Sequence, residues 1–333
     1  MRIDRKIATV AMLGVLTAVI ASAGTALATP TTSAAHHGTT SVVTYGWKTA
    51  AQYDAKWAAS FGPGEGTRTF AKNSITVNAA PFTTSQDYSV YDHLKYIRVS
   101  QQSFAVPQVG SLEFSVRITA RTPGTDPGRV IHGCYGPPGW QTGDPCTHPY
   151  AQPTLEGQQA GVVLNMISLQ TGQLFDWFVS SHHVFALIER LPSTVTGSPG
   201  VGLDKAYTQI IKESRIHRGE QHTVSIRYTR GHGVSMVEYF LDHKLFARVN
   251  HVGIPLDVQG VPFTGTYPSL GPGEQLSLSS FQIGHGLFSL VDAFPFQHPD
   301  RPDLSVSIPI SQRLFGQGAI GTFKDFKVTT RTK

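Results

Sequence analysis

The chain has 333 residues, a charged fraction of 15% and a formal net charge of +5. So mild an excess of base gives no reason to invoke nucleic acid or anionic lipid as a partner, since either would call for a basic stripe. With 33 Gly and 21 Pro against so few charges, the composition suits an all-β extracellular protein with many turns.

In chain order, Arg2, Arg5 and Lys6 precede an apolar run from Ile7 to Ala23, and the small residues of Ala26-Leu27-Ala28 close it. This is the charged start, apolar middle and cleavage site of a secretory signal peptide over residues 1–28. The competing reading is a membrane anchor, which would need roughly 20 apolar residues to span; Gly14, Thr17 and Gly24 dilute the run. No later segment approaches that length, so a secreted, extracellular monomer without membrane contact is expected. Residues 29–41, TPTTSAAHHGTTS, are small, polar and broken by Pro, as a linker is. No shift in composition divides residues 42–331, which read as a single domain.

Strand signals follow. Ser111 to Ala120 alternates Leu112, Phe114, Val116 and Ile118 with Glu113, Ser115, Arg117 and Thr119, the pattern of a half-buried strand. Ser74–Asn78, His93–Ser100, Ala206–Ser214, Gln221–Thr229, Ser235–Leu241, Lys244–Val249, Leu276–Ile283 and Gly321–Thr330 read similarly. Asp242-His243 fits a two-residue hairpin turn, and His285–Ala293 holds a short helix. The spacing predicts an all-β sandwich or barrel with one or two short helices.

Cys134 and Cys146 lie in HGCYGPPGWQTGDPCTH, a Gly/Pro-rich loop. In an exported protein two such cysteines read as a disulfide; a metal pair would need further thiolates. Tyr135, Trp140 and Tyr150 cluster in and beside this loop. They are candidate sugar-binding rings, because a ring face packs on pyranose C–H groups. The competing role for Trp140 is to pack its loop onto the fold.

Leu155 to Leu191 reads as a three-strand meander apolar on both faces, so it either lies mid-sandwich or floors a groove that takes a ligand. Taking Thr171-Gly172 and Ser181-His182 as two-residue turns sets Ile167 opposite Asp176, Asn165 opposite Phe178, and Leu174 opposite Glu189. One face then carries Leu164, Met166, Phe175, Trp177, Val179, Val184, Ala186, Ile188 and Arg190, and suits the core. The other mixes Asn165, Asp176 and Glu189 with Phe178 and aliphatic residues, as a ligand groove would. Asp176 and Glu189 become diagonal neighbours roughly 7–8 Å apart at the backbone. That separation admits an acid with a base or nucleophile, as glycosidases require. The alternative is a pair of carboxylates paired with Arg190 or Arg227.

The text HTVSIRYTRGHGVSMVEYFLDHKLFARV, followed by GTFKDFKVTT, resembles the concanavalin A-like lectin and glucanase sandwiches, with Leu241-Asp242-His243-Lys244 at their LDGK-type hairpin. The mature chain also looks like an uncharacterised secreted family of actinobacteria through KYIRVSQQSFAVPQVGSLEFSVRITART, AQPTLEGQQAGVVLNM, LFDWFV and FQIGHGLFSLVDAFPFQHP. The resemblance implies a concanavalin A-like jelly-roll β-sandwich and a polysaccharide or oligosaccharide partner. It also implies a structural Ca²⁺ held through Asp325, the acidic residue of the last strand, with backbone oxygens. The laminarinase-type members carry Glu-x-Asp-x-x-Glu on one strand; this chain has no such motif, so their mechanism does not transfer.

None of the fourteen histidines falls in a metal-binding pattern. Gly316 to Gly321 matches G-x-G-x-x-G, but the dozen residues after it read as a strand, not the helix a dinucleotide site needs. Three functions follow as expectations: carbohydrate binding through Asn165, Asp176, Phe178 and Glu189; a glycoside hydrolase or lyase using Asp176 and Glu189; or a structural protein whose grooves its own loops fill.

Overall fold

The computed structural model describes residues 38–59, 64–85, 93–137, 144–202, 205–259, 275–291, 298, 301 and 303–333. Trp140 lies outside them. Two eight-stranded antiparallel sheets pack face to face, the all-β jelly-roll sandwich expected. The first runs, in spatial order, Lys244–Val249, Val234–Leu241, Gln221–Gly231, Gly110–Arg121, Ala319–Thr332, Ser74–Ala79 and Thr67–Ala71. Thr40–Thr44 also pairs with Ala319–Thr332. The second runs Tyr207–Arg215, His183–Arg190, Gln173–Val179, Gly161–Ser168, Ser280–Phe288, Leu94–Ser100 and Trp57–Ala59, with Phe104–Ala105 added beside Ser280–Phe288.

Alternation decides which face of the first sheet is dry. Along Gly110–Arg121, Leu112, Phe114, Val116, Ile118 and Ala120 are buried, while Glu113, Ser115, Arg117 and Thr119 are half-exposed on the outside. The Asp242-His243 hairpin is a two-residue turn with φ of 49° and 67°; two positive values are what a type I′ turn requires. The second sheet supplies Leu164, Met166, Phe175, Trp177, Val184 and Ile188 to the same core. Two hydrogen bonds cross between the layers. Trp177 Nε1 donates to the Ser225 carbonyl at 2.9 Å, and the Tyr239 hydroxyl donates to the Leu187 carbonyl at 2.6 Å.

Three local expectations change. The first meander hairpin closes through a four-residue turn, so Ser168 rather than Gln170 faces Gln173, and Asn165 faces Asp176. Gly172 explains the longer turn: its φ is +69°, and a Cβ there would lie 2.4 Å from the Leu191 carbonyl oxygen. The register slides by two residues, an even number, so each side chain keeps its face. The second hairpin turns at Ser181-His182 with the expected register. The expected helix from His285 is instead the end of strand Ser280–Phe288, because Phe281, Ile283, His285 and Leu287 continue the inward alternation between two neighbouring strands. The cysteine-bearing stretch is not merely a loop. Val130–Gly136 pairs with His148–Pro153 and with Ser305–Ser307 in a third, small sheet. The Cys134–Cys146 disulfide, with Cα atoms 5.7 Å apart, staples it.

His285 is wholly buried in a cage of Trp57, Tyr53, Phe323 and Phe326, and the Tyr53 hydroxyl meets its Nε2 at 2.7 Å. Burial, and then the nearby Arg98 charge, push its pKa down to about 3. The folded state thus refuses a proton that the unfolded chain accepts below about pH 6.5. The stability from this neutral ring is complete above pH 6.5 and is lost as the pH falls toward 3. The expected loss is about 2 kcal/mol by pH 5. Urea unfolding of the wild type and of His285→Gln at pH 7 and pH 5 checks this; the variant, although weaker at pH 7, should lose less between the two.

Candidate functional site

The meander strands Gly161–Ser168, Gln173–Val179 and His183–Arg190 are buried on both faces, apart from the half-exposed His183 at the turn. On the outer face Val163, Ile167, Leu174, Phe178, Phe185 and Leu187 form a second apolar layer with Leu94, Ile97, Ile210, Phe288 and Leu290. The Glu156–Gln159 turn of helix lies against it so closely that a Cβ on Gly157 would come within 2.7 Å of the Phe185 ring.

Through this layer runs a diagonal of polar groups from four adjacent strands: Asn165, Asp176, Glu189 and Thr208. Asn165 Nδ2 donates to Asp176 Oδ1 at 2.8 Å, and the Thr208 hydroxyl donates to Glu189 Oε2 at 2.8 Å. The Asp176 and Glu189 carboxyls lie in hydrogen-bonding contact with each other. Burial, and then the Glu189 charge, raise Asp176 well above the usual carboxylate range. Neither arginine expected as a partner reaches the pair. Arg190 points through the opposite face to the carbonyls of Lys205 and Gly253, and Arg227 holds Glu113 and Glu238.

A carboxyl with a raised pKa beside a second carboxyl has the makings of an acid with a base or nucleophile. Its access is narrow. The cavity that reaches Asn165 and Glu189, walled by His93, Leu94, Ile97, Leu174 and Phe288, has a volume of about 30 Å³. That is room for a water, not for a pyranose. Thr208 and His93, which complete this neighbourhood, were not singled out in the sequence; Thr208 lay in the fourth strand, whose register across a bulge at Ala186/Leu187 is not readable from alternation alone.

Tyr135 and Tyr150, unlike the carboxyl pair, stand half-exposed. The small third sheet sets their rings edge to face at 5.4 Å, and the His298 ring lies 4.5 Å from Tyr135. The Tyr150 hydroxyl donates to Gln152, and exposed His148 stands directly opposite Tyr135 in the ladder. Phe178, grouped with these as a candidate sugar-binding ring, is buried and stacks on Phe185 at 4.7 Å.

Asp325 protrudes at a bulge between Lys324 and Lys327 with φ of 57°, and its carboxylate pairs with the Arg117 guanidinium. The groove at Asp325 is also lined by Lys327 and His243. A guanidinium in contact, with an ammonium nearby, does not fit Ca²⁺, which takes several oxygen ligands. No cluster of three His, Cys, Asp or Glu suited to a metal occurs among the described residues.

Replacing Asp176 by Asn keeps the shape and the hydrogen bond to Asn165 while removing the need to hold a proton. With the folded pKa raised, wild-type stability from this group is present near pH 4 and falls as the pH rises toward neutrality. Asp176→Asn should therefore stabilise the protein at pH 7 by ~1–3 kcal/mol, the usual cost of a poorly satisfied buried polar group. The gain should shrink toward pH 4, as thermal unfolding at both pH values would show.

The chain's fold is similar to that of an endo-1,3-β-glucanase from Streptomyces sioyaensis (10% identity, 84% of this chain and 91% of that one covered, TM-score 0.38). It is similar in the same sense to β-agarase B from Zobellia galactanivorans (10% identity, 87% and 94% covered, TM-score 0.39). A legume lectin-like domain from Entamoeba histolytica also matches (8% identity, 73% and 96% covered, TM-score 0.30). No curated protein sequence matches the chain. Residues 140–332, which hold the whole meander and the closing strand, match one family model, and the chain belongs to that family of unknown function, DUF6081.

Proposed function

We propose that this protein is a secreted carbohydrate-binding sandwich, with Tyr135 and Tyr150 as its sugar-facing rings. The observation that carries the reading is the half-exposed tyrosine pair on the disulfide-stapled sheet, bordered by Gln152, His148 and His298. Aromatic edges and faces take the C–H surface of a pyranose, and the amide and imidazoles beside them suit its hydroxyls. A strand pair with a disulfide beside it, from Cys134 to Cys146 just before the second strand, holds the rings in place before any ligand arrives, which lowers the entropic cost of binding. Secretion is supported by the leader-like start of the chain and by the disulfide itself, a bond of oxidising compartments. Among the described residues no helix is long and apolar enough to cross a membrane.

The hydrolase or lyase reading assigns catalysis to Asp176 and Glu189. A cavity of about 30 Å³, too small for a pyranose, favours a structural role for them. On the proposed reading, Asn165 and Phe178 serve the same layer rather than a ligand.

Calorimetric titration with oligosaccharides from plant, fungal and bacterial walls tests the proposal. Tyr135→Ala and Tyr150→Ala should each weaken binding by about tenfold, or about 1.4 kcal/mol. Asp176→Asn and Glu189→Gln should leave affinity unchanged. Absence of binding across all these glycans, or binding indifferent to both tyrosines, would sink the assignment; turnover abolished by Asp176→Asn would establish the enzyme instead.

A further inference from the structure

The outer face of the first sheet carries a groove that the tyrosine pair does not use. In the ladder Ser115 stands directly opposite Ser225, and Thr223 opposite Arg117, on the face away from the core; Ser115, Thr223 and Arg117 are half-exposed and Ser225 is buried at the floor. Short side chains flanked by the longer Glu113, Arg117 and Lys327 leave a trough. Its volume is about 410 Å³, and it is lined by Ser115, Thr223, Ser225, Arg117, Asp325 and Lys327, with Glu113 and His243 at its margins. That size lies in the range of small-ligand clefts.

The wall on one side comes from a bulge. Between the Lys324–Arg117 rung and the Lys327–Ser115 rung, Asp325 and Phe326 together face the single residue Val116, one residue more than the neighbouring strand has. Phe326 turns into the core and Asp325 turns outward onto Arg117, which brings Lys327 beside the serine floor. The charges around the trough do not cancel evenly. Asp325 is held by Arg117, while Glu113 is held by Arg227 and Arg331, each at 2.9 Å. Burial alone would raise Glu113, but the two guanidinium groups outweigh it and hold this carboxyl below its ordinary value. Both carboxylates are thus already neutralised, and exposed Lys327 has no ion-pair partner among the described residues. At the far side Phe240 stands opposite Ser225, with the Arg227 guanidinium 4.4 Å over its ring.

We infer that this trough is a second ligand site, and that it takes an acidic saccharide, one carrying carboxylates or sulfate esters. The three hydroxyls on its floor match sugar hydroxyls as both donors and acceptors. Lys327 supplies the charge that a uronate or sulfate needs, and the Arg117–Asp325 pair offers one further donor and one acceptor at fixed positions. The site is independent of the tyrosine pair, which lies on a different sheet.

Titration of the purified protein with a galacturonate tetramer and with a sulfated galactan oligomer, against a neutral glucan oligomer, tests it. The acidic ligands should bind, with affinity falling as salt is raised. Lys327→Glu should weaken them about tenfold or more, and Ser115→Tyr, which fills the trough from its half-exposed floor, should do the same. Tyr135→Ala should leave them unaffected, so loss of neutral-glycan binding in that variant alone would bear only on the first site. Acidic ligands that fail to bind, that bind no better than neutral glucan, or that ignore both trough variants would overturn the inference.

Discussion

Burying one meander on both of its faces is the constraint from which the rest of this sandwich follows. A sheet wet on one side can leave its polar groups to water; this one cannot, so each must be met from within the protein. Trp177 solves the problem on the inner side by donating across the core to Ser225, and Tyr239 returns a bond from the opposite sheet to Leu187. The same two bonds fix the spacing and lateral offset of the layers, since each joins a side chain of one sheet to the backbone of the other. On the outer side the answer is partial: Asn165 donates to Asp176 and Thr208 to Glu189, while Asn165 Oδ1 and Asp176 Oδ2 are left without a partner among the described residues.

Each dry layer holds a titratable group that burial biases toward its uncharged form. Burial lowers the pKa of His285 among Trp57, Phe323 and Phe326, and raises that of Asp176 among Phe178, Leu174 and Leu187. The physical cause is shared: desolvation penalises the charged species whichever sign it carries. Because one group is a base and the other an acid, their contributions to stability slope in opposite directions with pH, which places the most stable condition between the two.

Much of this was legible in the sequence. Period-two alternation from Leu112 to Ile118 marks the dry and wet faces of the first sheet, and Asp242-His243 marks a turn by residue type. The division of the meander into a Trp177 face and an Asp176 face was readable too, because a two-residue slip in the first hairpin preserves parity. What alternation does not encode is coverage. Leu94, Phe288 and Leu290, far apart in sequence, close the Asp176 face, and no local pattern announces that they meet. The short sheet around Cys134 escaped for a related reason: its strands carry Gly133, Gly136, Pro149 and Pro153, residues that read as loop, and a third strand from Ser305–Ser307 completes it. The trough on the first sheet was hidden because it depends on the bulge at Lys324–Lys327, which shifts register by an amount that residue types there do not specify.

The strand Thr40–Thr44 has a mechanical meaning. It runs antiparallel to the last strand, with Thr40 beside Arg331 and Thr44 beside Lys327, and Thr39 and Thr332 exchange hydrogen bonds at the open end. Tension applied between the two ends of the domain would therefore act on this ladder like a zipper, breaking its rungs one after another rather than all together. All five residues of the strand are exposed, so they would peel away without uncovering the core. Resistance would rise sharply at Tyr45 and Trp47, whose rings are locked against Trp57, Phe104 and Phe326. The domain thus begins with a compliant leash of known length attached to a stiff aromatic anchor.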